Sequence, residues 1–376
     1  MIKARLTHRE FQFRRPATTS RGTFLKKKVQ YILLYHTDEP AMAGIGECSL
    51  FPGLSFDDRK GFEQRLQEAV DRINQGDFST DASLLDWPSI NFALETAWKD
   101  IRVFGSKILY PSDFTEGKDS IGINGLIWMD DREGMNRQIR QRIEEGFTCL
   151  KLKIGSLRLD EEIEILNYLR KEYPADELEI RVDANGAFRL RDAPEMLNIL
   201  SKYDLHSIEQ PIPAGHVEAM ANLCESSPVP IALDEELIGI HTSAARRNLI
   251  EIIKPQYIVL KPGLLGGIAS AADWVNAARE SGTSWWVTSA LETNIGMNAI
   301  AQWTFTLNNP TAHGLSTGAL YAENIPSPLY LFGERLYFDP DRKCRGPGCR
   351  NIGYGCRPWT LCHGNDQGIC HTEIWL

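Results

Sequence analysis

The sequence predicts an α/β protein, a (β/α)8-type (TIM-like) barrel with an N-terminal α+β capping domain. Three observations carry that prediction. From about residue 120, strand-like and helical segments alternate, which is the grammar of parallel βαβ units. About eight such strands occupy roughly 220 residues, close to the usual length of an eight-stranded barrel. Polar residues recur near the C-terminal ends of these strands, about one βα unit apart.

The chain opens on three strand-like runs, KARLTHREFQF, VQYILLYHT and AGIGECSLF. The polar loop RRPATTSRGTFLKKK separates the first two. After the turn PGLS, the segment SFDDRKGFEQRLQEAVDRINQG has helical spacing, with Ser55 as its N-cap and Gly76 as its stop. WPSINFALETAWKDIRVFG reads as a second helix. Together they form an α+β unit over residues 1–115. The alternating region covers 116–335. It begins with a strand, DSIGINGLIW, and a helix ending at Gly146. FTCLKLKIG is a strand, and the helix after it stops near Pro174. LEIRVDANG is a strand, and LRDAPEMLNILSKY a helix. LHSIEQPI, VPIALDEEL, QYIVLKPG and SWWVTSALE follow as strands.

With 43% hydrophobic and 24% charged residues, the composition is globular. A net charge of -9 with no basic block argues against a nucleic-acid partner. No apolar run approaches the ~18 residues of a membrane span, and the N-terminus has no signal-like apolar stretch. A cytoplasmic protein acting on a small molecule is the expectation, with the oligomeric state left open. Cys48, Cys149 and Cys224 are scattered, which fits a reducing compartment.

Lys151 and Lys153 raise the chemical question. In a strand they point the same way, while Leu150, Leu152 and Ile154 point the other. Further on, the strand ends carry Asp183, Glu209, Asp234 and Lys261, at spacings of 26, 25 and 27 residues. Lys153 lies 30 before Asp183. In a (β/α)8 barrel such positions converge at the C-terminal mouth. Three carboxylates there suit a hard cation, Mg2+ before zinc, with Mn2+ as a substitute. A substrate carboxylate on that cation has an acidified α-proton. Lys153 and Lys261 would face it from two sides, and Lys151 would tune Lys153 or bind substrate.

KxK at 151–153, VDANG with Asp183, IEQP with Glu209, LDEE with Asp234 and LKPG with Lys261 together resemble the enolase superfamily, in its muconate-lactonizing-type subgroup. The resemblance covers about residues 1–335 and implies an enediolate intermediate. Dipeptide epimerases of the subgroup carry a DxD at the eighth strand, whereas this chain has HGLSTGALY there. Gly314, Ser316 and Thr317 suit a carboxylate instead. HGLSTG, SALETNIG and TTSRG look most like the o-succinylbenzoate synthases of menaquinone biosynthesis. The resemblance implies dehydration of 2-succinyl-6-hydroxy-2,4-cyclohexadiene-1-carboxylate to o-succinylbenzoate. Lys153 would be the base, with Mg2+ on Asp183, Glu209 and Asp234. Lys261 would be the stabilising cation, in part through cation–π contact with the forming ring. The alternatives are an N-acylamino acid racemase, another epimerase or cycloisomerase, and a barrel kept only as a binding protein. The complete lysine and acid set argues against the last.

Asn185 reads equally as a partner orienting a metal ligand or as a turn residue before Gly186. Arg181 is expected in a buried ion pair near the metal, and Glu235 to point away from the mouth or to pair with a lysine. Ser289 ends the seventh strand as a carboxylate ligand, and Arg21 on the capping loop would reach the succinyl carboxylate. Trp285 and Trp286 face opposite sides, as packing residues. Residues 336–376 form an atypical tail with five cysteines and two histidines, His363 and His371, whose spacing matches no zinc finger. It reads as a disordered appendage or a non-native terminus from a reading-frame error.

Overall fold

The computed structural model describes residues 1–19, 22–78, 84–341, 361–364 and 370–373. Three antiparallel strands, β1 (Ile2–Thr19), β2 (Gly22–His36) and β3 (Glu39–Cys48), form the first sheet in that order. Alternation along β2 gives it two apolar faces. Ile32 and Leu34 pack against helices α1 (Phe62–Asn74) and α2 (Pro88–Arg102). Val29, Tyr31 and Leu33 pack the other way, with Leu264, Ala290 and Ile295 of the second half of the chain. Helix α2 lies directly on β3: a Cβ on Gly46 would stand 1.7 Å from the Ala93 carbonyl oxygen. Ser55 does not cap α1. Its hydroxyl accepts the Phe51 N–H in a turn (2.8 Å), and the helix begins after Gly61, whose φ of 97° breaks the chain direction.

The second half alternates strands and helices. The run DSIGINGLIW is two strands, not one: β4 (Ser120–Gly122) and β5 (Gly125–Ile127). β4 leaves to pair with β13 (Arg335–Phe338), itself paired with β12 (Leu329–Phe332). Arg335–Phe338 is therefore a structural strand, which corrects the expectation that the tail opens at 336. From β5 the order is α3 (Arg132–Glu144), β6 (Cys149–Lys153), α4 (Leu159–Glu172), β7 (Glu179–Asp183), α5 (Ala193–Leu200) and β8 (Ser207–Glu209). Then come α6 (Val217–Ser226), β9 (Ile231–Leu233), α7 (Ser243–Ile253), β10 (Tyr257–Leu260), α8 (Pro262–Leu265), α9 (Ile268–Ser281), β11 (Ser284–Val287) and α10 (Asn294–Thr306). Strands β5 to β11 form one seven-stranded sheet in chain order, with parallel pairing throughout.

Two residues join the ends of that sheet. His313 forms a parallel bridge to Ile123, and Gly314 one to Thr288. The His313 N–H donates to Gly122 O, Asn124 N–H to His313 O and Gly314 N–H to Val287 O, each at 2.9 Å. The His313 ring is buried at this seam. Its Nδ1 accepts the Val287 N–H (3.0 Å) and its Nε2 faces the Asn309 carbonyl (3.3 Å), a pairing that suits neutral imidazole protonated at Nε2. Apart from strands Leu361–Gly364 and Cys370–Glu373, the tail from 342 lies outside the described residues. Among the described residues, no helix is long and apolar enough to cross a membrane.

Burial pushes the His313 pKa from 6.5 down to about 4. The unfolded chain therefore takes up this proton before the folded one does. The contribution is complete above pH 6.5 and is lost as pH falls toward 4. The stability difference between the protein and His313→Gln, read from urea midpoints, is expected to shrink by about 3 kcal/mol between pH 7 and pH 4. A difference independent of pH would refute a neutral buried imidazole.

Candidate active site

Parallel register sets the site. Lys153 pairs with Asp183, and Asp183 with Glu209, so three strand ends stand side by side. Asp234 and Lys261 directly follow β9 and β10. Side chains alternate, so the aliphatic residues between them, Leu152, Val182, Ile208 and Leu233, enter the core under the helices. With residues 313–314 in the eighth place of the ring, β6 and β10 lie four places apart. Lys153 and Lys261 therefore face each other across it.

The charges at this mouth are buried and paired. Lys151 Nζ sits between Glu209 Oε2 (2.5 Å) and Asp183 Oδ2 (2.9 Å). Lys153 Nζ donates to Asp183 Oδ2 (2.6 Å) and Asn185 Oδ1 (2.8 Å). Lys261 pairs with Asp234 and lies 4.0 Å from Glu209 Oε1. Burial works against the charge of Lys151, but Asp183 and Glu209 outweigh it and raise its pKa. Burial likewise opposes the charge of Lys261, yet Asp234 and Glu209 drive its pKa well up. For Asp183, burial is outweighed by Lys151 and Lys153, and the carboxyl is held well below its usual range. Glu209 is pushed up to about 8 by burial and by the Asp183 charge. Asp234 is raised by burial, with Lys261 opposing.

Asn185 occupies the turn position before Gly186, and its side-chain bonds go to Lys153 and Glu235 rather than to Asp183, Glu209 or Asp234. It adopts φ 45°, a left-handed turn conformation that asparagine tolerates. Its side chain also ties Lys153 to Glu235, since Nδ2 donates to Glu235 Oε1 (3.0 Å). Glu235 does not point away: it is buried and lines the mouth with Lys151, Lys153 and Lys261. The expectation fails because a 3-10 turn, Glu235–Leu237, follows β9 and ends the strand alternation. Arg181 is buried too, but its ion pair is with Glu179 (2.6 Å), toward the N-terminal end of β7, and it stacks on Trp286 at 4.4 Å. It shares the interior face with Asp183 one layer deeper, and its guanidinium turns to Glu179 and the Ala312 carbonyl rather than up to the acids. Trp286 packs inside the ring with Ala232 and Val259, and Trp285 packs against the outer core.

The pocket above these charges has about 770 Å³ of empty space, continuous with solvent. Ser289, Gly314 and Ser316 line it. A Cβ on Gly314 would lie 2.2 Å from Thr288 Oγ1, so only glycine fits there. Thr317 opens the short turn Thr317–Leu320, and Arg21 lies outside the described residues. Phe51 and Leu54 from the first half of the chain, Leu126 of β5 and Trp128 just after it complete the walls. Sequence reasoning missed these four. Phe51, Leu54 and Trp128 stand outside the strands, where no periodic signal sets an apolar residue apart from packing, and an apolar residue within a strand such as Leu126 reads as core.

The donor set fits a hard divalent cation. Three buried carboxylates end adjacent strands, and Glu209 Oε1 has no hydrogen-bond partner. Asp183, Glu209 and Asp234 are turned toward lysine ammoniums, and among the described residues no three acids stand together in liganding position.

Residues 134–338 match the family model described as enolase C-terminal domain-like. Over 86% of this chain and 95% of the relative, the sequence is 43% identical to an o-succinylbenzoate synthase of Desulfotalea psychrophila. The crystal structure of MenC from that organism superposes with a TM-score of 0.78 and 39% identity, covering 89% of this chain and 99% of that one. An N-succinylamino acid racemase of Amycolatopsis is 26% identical over 85% of this chain and 88% of its own. Muconate lactonizing enzyme from Pseudomonas fluorescens has the same fold, with a TM-score of 0.73 at 22% identity over 90% of this chain and 93% of that one. Matched by the family model over its second half and by the Desulfotalea synthase over most of its length, the chain belongs to the enolase superfamily.

Proposed function

We propose that the protein dehydrates 2-succinyl-6-hydroxy-2,4-cyclohexadiene-1-carboxylate to o-succinylbenzoate, a step of menaquinone biosynthesis. The observation that carries this reading is the pair Lys153 and Lys261, facing each other across one pocket above three buried carboxylates. The 43% identity to the Desulfotalea synthase supports the particular reaction. Residues 1–115 serve as the cap, and the region from 116 is a (β/α)8 barrel flanked by the small antiparallel sheet whose last strand ends at Phe338.

Asp183, Glu209 and Asp234 would hold Mg2+, and Mn2+ is expected to substitute. A bound divalent cation supplies positive charge that stabilises the substrate carboxylate as its α-proton leaves. Lys153 takes that proton. A neutral amine has two N–H bonds and one lone pair. Asp183 Oδ2 and Asn185 Oδ1 accept the two N–H bonds, which leaves the lone pair for the proton α to the ring carboxylate. The same Nζ then returns its proton to the hydroxyl leaving from that face. The C–H and C–O bonds break, the ring double bond forms, and water departs. Lys261 stays charged beside Asp234 and presents its cation to the other face. Ser289, Gly314 and Ser316 receive a substrate carboxylate.

An ultraviolet assay with Mg2+ and the cyclohexadiene tests the reaction. Lys153→Ala is expected to lower kcat by at least ~10³-fold. EDTA should abolish turnover, and Mg2+ or Mn2+ should restore it. No turnover by the wild type with Mg2+ present would sink the assignment.

Asn185→Ala is expected to lower kcat by about 10-fold with little change in KM, since the bond lost is the one that aims Lys153. Equal loss in KM would instead place it on the substrate.

Racemisation of N-acylamino acids is the second reading, favoured by lysines on both faces and by the Amycolatopsis relative. It predicts α-proton exchange in deuterated water with both enantiomers. Lys261→Ala should stop exchange with one enantiomer only. No exchange with either enantiomer would remove this reading.

A further inference from the structure

One buried cation of the N-terminal sheet takes no part in the chemistry above. Lys27, on β2, is 6% exposed. Its Nζ donates to Ser49 Oγ (2.5 Å), Leu291 O (2.9 Å) and Ala290 O (3.1 Å), one acceptor for each N–H. Two of these acceptors belong to the segment between β11 and α10. Ala290 and Leu291 line the same pocket as Lys153 and Lys261. Leu291 is held at φ 61°, a left-handed conformation that costs a leucine energy unless its surroundings enforce it. Its carbonyl also accepts from the Tyr321 hydroxyl (2.6 Å). Nearby, Glu47 of β3 accepts the Thr293 N–H (2.8 Å) and hydroxyl (2.6 Å) and the Gly296 N–H (2.8 Å). The first sheet thus grips this segment at two points.

We propose that Lys27 is a positioning residue for the pocket wall, its ammonium clamping the Ala290 and Leu291 carbonyls and so setting the surface that faces Lys153 and Lys261. The kinetic part of the test rests on the proposed dehydration; the structural part does not.

The charge state matters. Burial pulls the Lys27 pKa down to about 8, with Glu292 and Glu47 pulling it back up. The titratable groups around it are Glu47 on β3, Glu292 after β11, Tyr31 on β2 and Tyr321 beyond the seam. Both phenols are pushed up, chiefly by burial. Burial raises Glu292 to about 7, with the Lys27 cation opposing. Above pH 8 the clamp therefore weakens in the wild type itself.

Lys27→Met keeps the length and removes the charge. Two readouts are compared with wild type: hydrogen exchange of the peptide covering 288–296, and kcat/KM for the cyclohexadiene with Mg2+ from pH 6.5 to 9.5. The expected result is faster exchange in that peptide and kcat/KM lower by at least ~10-fold at pH 7. The gap should narrow as pH rises through 8, because the wild type loses its own cation. Lys27→Arg, which keeps the charge, should recover part of the loss. Unchanged exchange overturns the proposal, as does an activity gap constant with pH. If Lys27→Met does not fold, Lys27→Gln, which also removes the charge, is read the same way. If the wild type does not turn over the cyclohexadiene, the proposed dehydration fails and the exchange arm alone decides. Faster exchange then upholds the clamp, and unchanged exchange overturns it.

Discussion

Seven charged groups, three lysines and four acids, share the mouth of the ring, and each is tolerable there only because the others are present. Moving a carboxylate or an ammonium out of water costs several kcal/mol after relaxation. Here Lys151 is met by two acids, Lys153 by one acid and one amide, and Lys261 by Asp234. Parallel register makes that mutual compensation geometrically possible. It places Lys153, Asp183 and Glu209 in one row, with Lys151 one layer below reaching up into it. The Lys151 ammonium is met by Asp183 and Glu209, and it holds these two acids in place.

The first sheet has two apolar faces for a related reason. One face must bury α1 and α2, and the other must cover the mouth. Phe51 and Leu54 close the pocket from that side, and Phe13 bridges to Tyr321 just past the seam. The contact between the halves is not only apolar. Asp100 accepts the Ile45 N–H (2.9 Å) and pairs with Lys107 (2.6 Å), whose carbonyl accepts from Asn298 and Gln302 of α10. Buried polar bonds of this kind add direction to a hydrophobic contact. They suit an interface that also forms part of a binding site.

Strand-end chemistry is legible because two periodicities coincide in it. Period 2 sorts residues within a strand, and the βα repeat sorts one strand from the next, so Lys153, Asp183, Glu209, Asp234 and Lys261 stand out from sequence alone. Glu235 escapes that logic because the strand period stops at Leu233, where the turn begins. For Arg181 the pattern gives the correct face but the wrong layer. Alternation gives the side of a strand, not the depth at which a long side chain finds its partner. Lys27 and His313 are not legible. Lys27 stands in a run of three lysines, of which the two flanking ones are exposed, and composition cannot pick the buried one. His313 belongs to a two-residue seam, too short to register as a strand. The N-terminal residues of the pocket wall come from turns, where no repeat exists to expose an exception.

The seam at His313 and Gly314 is the last point at which the chain serves ring closure. These two residues carry the bonds that join the first and last strands. From Ser316 the chain enters a short turn that pairs with none of the parallel strands, yet Ser316 still borders the pocket. A lineage descended from this chain could therefore rewrite residues past the seam and inherit the acids, the lysines and the closed ring intact. New substrate preferences would then be separated from the old ones by few substitutions, none of which has to pass through an unfolded ancestor.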